Sequence, residues 1–162
     1  MATLLLPVGP PGSGKTFLGM KLKDKYKDKL IYLSRDDIFI KFREGNSIRN
    51  SKHYTHKFIQ QELQKYKDKN VIVYIDTTNS NYGIRDLYES YLTPIKVKYI
   101  CFKYDISILI KRISNREHPT FPKDNIKQLI TLNKINRSIQ YPSENCIEIN
   151  QEHYDIDKLF NF

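Results

Sequence analysis

Gly9-Pro10-Pro11-Gly12-Ser13-Gly14-Lys15-Thr16 is the stretch that decides the fold of this 162-residue chain. It matches G-x-x-x-x-G-K-[ST], and its surroundings are those the motif requires. The apolar run Thr3 to Val8 before it reads as a buried strand. The segment from Lys15 to about Lys27 reads as a helix with Phe17, Leu18 and Leu22 along one side. Glycines let backbone N–H groups turn inward around phosphate oxygens without a Cβ in the way. The following helix N-terminus adds donors and partial positive charge. Gly9 to Thr16 are therefore expected to bind ATP. Lys15 reaches the β- and γ-phosphates, and the Thr16 hydroxyl is placed to ligate Mg²⁺.

Outward from this loop, short strands alternate with helices. Leu30 to Leu33, Val71 to Ile75, Lys96 to Phe102 and Cys146 to Ile149 read as strands. Val71 to Ile75 is continuously apolar, as a strand covered on both faces is. Helices are expected over Asp36 to Arg43, His53 to Tyr66, Asn81 to Tyr91, Ile106 to Ile113, Lys123 to Ile135 and Ile156 to Phe160. Alternation of this kind implies βαβ units, so the expected fold is α/β, with three layers around a central parallel sheet of about five strands. Nothing marks a linker, so residues 1–162 are read as one domain. The pentamer Lys-Tyr-Lys-Asp-Lys occurs at 25–29 and again at 65–69. Each copy ends a helix and suits the negative end of its dipole.

Composition narrows the function classes. Apolar residues make up 40% and charged residues 28%, which excludes collagen-like and low-complexity chains. The net charge of +9 favours a polyanionic partner, although a solubilising surface gives the same sum. Cys101 and Cys146 are too few for a disulfide framework and read as buried strand residues with reduced thiols. His53 and His56 lack a third ligand at metal-binding spacing. No apolar run approaches the roughly 20 residues of a membrane span. The expected setting is intracellular, cytoplasmic or nuclear, with no membrane partner and no protein partner evident.

Three further features carry chemistry. Ser34-Arg35-Asp36-Asp37 follows the second strand, at the sheet edge where α/β folds bind ligands. A carboxylate there can accept the proton of an attacking hydroxyl, and the same residues also suit a helix cap. Asp76, followed by Thr77-Thr78-Asn79, ends a strand expected beside the loop strand. It can order Mg²⁺-bound water or a substrate hydroxyl, or simply form an Asx turn. Lys111-Arg112-Ile113-Ser114-Asn115-Arg116 ends a helix and opens a lid read over about residues 112–122. Arg112 and Arg116 can neutralise charge on a transferring phosphoryl group, or cap the helix.

These features, in this order, resemble the kinase domain of phage-type polynucleotide 5′-hydroxyl kinases. The resemblance covers nearly the whole chain, through GPPGSGKT, Arg35-Asp36-Asp37, Asp76-Thr77-Thr78-Asn79 and the Lys111 to Arg116 lid. It implies phosphoryl transfer from ATP to 5′-hydroxyl ends of DNA or RNA. Asp36 would be the general base, with Arg116 and Arg112 at the phosphoryl group and Arg35, Asp76 and Thr77 near the substrate. The family's substrate arginine is replaced by Phe39, with Arg43 one turn on as its substitute. The basic segment from Arg43 to Lys57 is available to track a strand, with Tyr54 for stacking. Two alternatives stand beside this: a small-molecule or nucleotide kinase on the same scaffold, and a non-catalytic ATP-responsive nucleic-acid-binding module.

Overall fold

Leu4, Leu5, Leu6 and Val8 are completely buried, and the strand that carries them runs through the middle of the sheet. The computed structural model describes residues 1–91, 96–114, 124–151 and 153–160. The strands are β1 (Thr3–Val8), β2 (Leu30–Ser34), β3 (Ile72–Asp76), β4 (Lys96–Phe102) and β5 (Cys146–Ile149). The helices are α1 (Lys15–Tyr26), α2 (Arg35–Arg43), α3 (Ile48–Tyr66), α4 (Tyr82–Ser90), α5 (Ile106–Ser114), α6 (Asn125–Ser138) and α7 (Ile156–Leu159). The sheet order is β2-β3-β1-β4-β5, and every pairing is parallel. This is the expected α/β architecture, with an all-parallel central sheet of five strands.

Period-two alternation sorts the strand residues between two cores. Leu5 and Tyr74 face Leu18 and Leu22 of α1, Leu109 and Ile113 of α5 and Leu132 of α6. Leu4, Leu6, Val73 and Ile75 face Ile59 and Leu63 of α3 and Tyr88 of α4. The helices after the neighbouring strands β1 and β3 thus leave toward opposite faces. Their connecting loops part at the carboxyl edge, and a crevice opens there, as at the switch point of any open parallel sheet.

Side-chain caps set several helix starts. Ser34 Oγ accepts the Asp37 N–H, and Asp124 accepts the Lys127 N–H. Ser47 Oγ accepts the Asn50 N–H, so α3 begins at Ile48, earlier than the His53 expected from its apolar pattern. The first turns of α3 are polar, and a cap rather than periodicity starts them. The two Lys-Tyr-Lys-Asp-Lys segments precede the adjacent strands β2 and β3, and Lys27–Lys29 forms a 3-10 turn. The expectation of two free thiols is corrected. Cys101 on β4 and Cys146 on the neighbouring β5 form a disulfide, with Cα atoms 6.2 Å apart. Strand adjacency, which residue spacing does not disclose, brings the two sulfurs together.

Tyr32 and Tyr74 stack with ring centroids 5.8 Å apart and planes at 11°. The pair lies over Gly19 of α1. A Cβ on Gly19 would come within 2.6 Å of the Tyr32 ring and 2.7 Å of the Tyr74 ring. Both rings are pinned at their hydroxyls, Tyr32 by Asp76 and Tyr74 by the Lys15 carbonyl, so neither yields easily. Gly19→Ala is expected to destabilise the protein by about 1–3 kcal/mol despite the better helix propensity of alanine. A denaturant midpoint equal to or above wild type would show that the stack shifts freely.

Burial raises the hydroxyl pKa of Tyr141 and of Tyr154, each to about 12. The folded chain therefore keeps protons that the unfolded chain releases near pH 10. That stability is fully present below pH ~10 and is lost as the pH rises toward ~12. The urea midpoint should fall between pH 10 and 11.5, and Tyr141→Phe should flatten part of the decline. An equal decline in that variant would remove Tyr141 from the account.

Candidate functional site

The turn after β1 is built to wrap an anion. Gly12 and Gly14 have φ of +79° and +97°, the left-handed region that glycine tolerates. At Gly12 space also forbids a side chain, because a Cβ would lie 2.9 Å from Ile113 Cγ1. Gly14 is the N-cap of α1, and no side chain bonds to the helix there. The helix N-terminus is thus left open for a ligand, as a phosphate site requires.

Lys15 is buried, and its ammonium lies across the loop. It donates to the carbonyls of Gly9 at 2.9 Å and Pro10 at 2.7 Å, and to Ser13 Oγ at 3.3 Å. These partners hold the cation over the concave side of the turn. Arg112, near the end of α5, donates to the Gly12 carbonyl and stacks over the Tyr104 ring at 4.5 Å. It therefore stands at the loop. Pro11 completes the turn. Arg116 and the rest of the expected lid beyond Ser114 lie outside the described residues.

Asp76 joins the loop to the sheet. The Thr16 hydroxyl donates to its Oδ2 at 2.7 Å, and the Tyr32 hydroxyl donates to the same oxygen at 2.5 Å. Strand alternation explains the meeting. Tyr32 lies opposite Tyr74 and Ser34 opposite Asp76, so Tyr32, Tyr74 and Asp76 share the sheet face covered by α1. Burial, then the hydrogen bond to Asp76, pushes the Tyr32 pKa far up, so this donor keeps its proton at any physiological pH. Tyr74 donates to the Lys15 carbonyl at 2.7 Å and fixes the first turn of α1. Neither tyrosine stands out in the sequence, since each reads as an ordinary strand residue. Only their shared parity with Asp76 is a signal.

A second tie runs through Asn79, which sits at φ +47°. Its amide donates to the Pro7 carbonyl at 2.8 Å and to the Ile75 and Thr77 carbonyls at 3.3 and 3.4 Å. The Gly9 N–H meets the Thr78 carbonyl. Arg85 of α4, completely buried, donates to the Asn79 carbonyl at 2.7 Å and stacks on Tyr82. The Asp76 to Asn79 loop and the root of the phosphate loop are thus one hydrogen-bonded body.

The acceptor side is more open. Asp36 is in the first turn of α2, two residues beyond the Ser34–Asp76 rung, with its side chain 55% exposed. Arg35 Nη1 is 4.0 Å from Asp36 Oδ1. Thr77 is half-buried beside Asp76. Arg43 is not brought to this cluster. It closes the far end of α2, about 10 Å along the helix axis from Asp36, where it donates to the Asn46 carbonyl. One turn of sequence separates Arg43 from Phe39, but a helix pointing away from the edge carries it out of reach.

The phosphate loop on β1 thus stands beside a carboxylate from the adjacent β3 in a sheet of order 2-3-1-4-5. The chain belongs to the AAA domain family. The AAA_33 model of that family matches residues 4–140. Solved structures with the same fold include a sugar kinase from Janibacter sp. HTCC2649 at 16% identity and TM-score 0.59, covering 92% of this chain and 84% of that one. A gluconokinase from Sinorhizobium meliloti 1021 matches at 14% identity and TM-score 0.61, over 98% and 86%. A protein from Chloroflexus aurantiacus j-10-fl, provisionally called a kinase, matches at 17% identity and TM-score 0.71, over 97% and 94%. No curated protein sequence matches the chain.

The Asn79 tie gives a direct test in this AAA-family domain. Asn79→Ala removes bonds to buried carbonyls and leaves at positive φ a residue less suited to it than asparagine, whereas Asn79→Gly removes the same bonds and relieves the backbone. Both variants should lose stability, by about 1–3 kcal/mol, with alanine the worse of the two. Both should bind ATP more weakly than wild type by fluorescence titration. Wild-type ATP affinity in both would show that the loop holds its shape without the tie.

Proposed function

We propose that the protein is an ATP-dependent kinase that phosphorylates a hydroxyl of a small acceptor. The observation that carries this reading is the placement of Asp36. An exposed carboxylate stands at the carboxyl edge of the sheet, two residues beyond the Ser34–Asp76 rung. The residues present suit both co-substrate and metal. The open helix N-terminus, the positive-φ glycines and the Lys15 ammonium fit a polyphosphate. Thr16 and Asp76 offer the oxygen donors Mg²⁺ takes, and the ion would supply charge neutralisation at the phosphates.

In this reading the acceptor hydroxyl lies beside Asp36. Its oxygen attacks the γ-phosphorus, its proton passes to Asp36, and the bond from γ-phosphorus to the β,γ-bridging oxygen breaks to release ADP. Lys15 exchanges loop carbonyls for phosphate oxygens, and Arg112 adds positive charge next to Gly12. The sugar kinase and gluconokinase among the structural neighbours act on small acceptors and support this choice.

A polynucleotide 5′-hydroxyl acceptor is the second reading, and one observation favours it. Residues 45–61 contain no Asp or Glu, while Arg49, Lys52, His53, Tyr54 and Lys57 stand exposed on α3. Such a stripe fits a phosphate backbone.

Transfer of labelled γ-phosphate to a panel of sugars, sugar acids, nucleosides and 5′-hydroxyl oligonucleotides separates the readings. Label is expected on a small acceptor and absent from every oligonucleotide, and it should vanish in Lys15→Ala. Label on 5′-hydroxyl strands alone would replace the proposal with the polynucleotide reading. ATP binding without transfer to any acceptor would point to a non-catalytic ATP switch.

A further inference from the structure

Tyr32 touches the centre of the site, yet the proposed chemistry gives it no part. It lies on β2 opposite Tyr74, and Ser34, two residues on, lies opposite Asp76. Two residues of strand span about 6.6 Å, which a phenol can bridge and a serine hydroxyl cannot. The Tyr32 hydroxyl closes that span and donates to Asp76 Oδ2 at 2.5 Å. Thr16, from the first turn of α1, donates to the same oxygen at 2.7 Å. Neither hydroxyl donates to Oδ1.

The contacts around Tyr32 leave its hydroxyl little freedom. Its ring stacks on Tyr74 at 5.8 Å, and the Tyr74 hydroxyl is itself tied to the Lys15 carbonyl. Helix α1 closes against both rings at Gly19, where a Cβ would stand 2.6 Å from the Tyr32 ring. Lys23 of the same helix lies 6.0 Å from the ring centroid. A ring held on these sides presents its hydroxyl at one point, and Asp76 meets it there. A carboxylate only accepts, and it does so at two oxygens. Two donors on Oδ2 fix the rotation of the Asp76 carboxylate and leave Oδ1 to serve a cation or one of its waters. The Thr16 oxygen keeps its lone pairs for the same purpose, because its proton is committed to Asp76.

We propose that Tyr32 is a positioning residue for the metal of the ATP site. It acts through Asp76, by fixing which carboxylate oxygen is offered to the cation. The inference rests on the ATP-dependent reading and on Thr16 and Asp76 as the metal-facing pair. Losing the hydrogen-bond partner of a metal-binding side chain costs roughly ten- to a hundredfold in metal affinity or activity. The effect should depend on the ion. Mg²⁺ demands near-ideal octahedral geometry, whereas Ca²⁺ accepts irregular sets of oxygen ligands. Tyr32 should therefore set the preference for Mg²⁺ over Ca²⁺ as well as the affinity.

The test is a binding experiment on the full chain and needs no acceptor. Calorimetry measures ATP affinity without divalent ion, with Mg²⁺ and with Ca²⁺. It is run on wild type, Tyr32→Phe, Asp76→Asn and the double variant. Phenylalanine keeps a ring against Tyr74 and deletes only the hydroxyl. In Tyr32→Phe the enhancement of ATP affinity by Mg²⁺ should fall about tenfold, and that by Ca²⁺ should fall less. Once Asp76 is already Asn, Tyr32→Phe should take away no further enhancement. A purely structural hydroxyl would instead lower the melting temperature and change ATP affinity by one factor, with or without the ion. Equal Mg²⁺ enhancement in wild type and Tyr32→Phe, equal losses with the two ions, or a loss that persists in the Asp76→Asn background would overturn the proposal. Wild-type ATP affinity indifferent to Mg²⁺ would overturn both the proposal and the metal-facing pair beneath it. The expected binding results without phosphoryl transfer to any acceptor would count against the kinase reading alone.

Discussion

The hydrogen bond from the Thr16 hydroxyl to Asp76 spans 60 residues of sequence at 2.7 Å, and the site is assembled around it. It exists because β1 and β3 are neighbours, so the loop after one strand and the carboxylate ending the other share an edge. Tyr32 holds the same carboxylate oxygen from β2, and Tyr74 beneath it holds the first turn of α1. The node therefore joins strands β2 and β3 to helix α1. Gly19 adds a packing condition, since only a residue without Cβ lets the helix lie against the two stacked rings. Site geometry and core packing are here one set of contacts.

The crevice divides its labour between the two faces of the sheet. On the α1 side, glycines, an open helix terminus and Lys15 provide for polyphosphate. After β2, Arg35 and Asp36 open α2, with Arg35 Nη1 4.0 Å from Asp36 Oδ1. This arrangement follows from topology. Helices after adjacent parallel strands leave on opposite faces, so a donor and an acceptor can approach one edge without competing for the same surface.

Much of this was legible from residue order. The phosphate-loop motif, with an apolar run before it and a helix after it, gave the fold, and the continuous Val71 to Ile75 run gave the neighbouring strand. Asp76, Thr16, Lys15 and Arg112, all singled out by motif reading, lie together at the loop after β1. What stayed hidden depends on which strands touch and where helices point. Tyr32 becomes a partner of Asp76 only once β2 pairs with β3 in a known register. Arg85 is a polar residue inside an amphipathic helix pattern, and its burial against Asn79 has no local signal. Arg43 is near Asp36 in sequence and far from it along the helix. The Cys101–Cys146 disulfide required the adjacency of β4 and β5.

The node itself can be tested without knowing the acceptor. Calorimetry of ATP binding, with and without Mg²⁺, would be run on wild type and Asp76→Asn. If Thr16 and Asp76 form the metal-facing side of the phosphate loop, Mg²⁺ will strengthen ATP binding to wild type and add little in the variant. The Mg²⁺-free affinities should stay close, because the glycines and Lys15 remain. An equal Mg²⁺ enhancement in both proteins would contradict the account and place the ion away from Asp76.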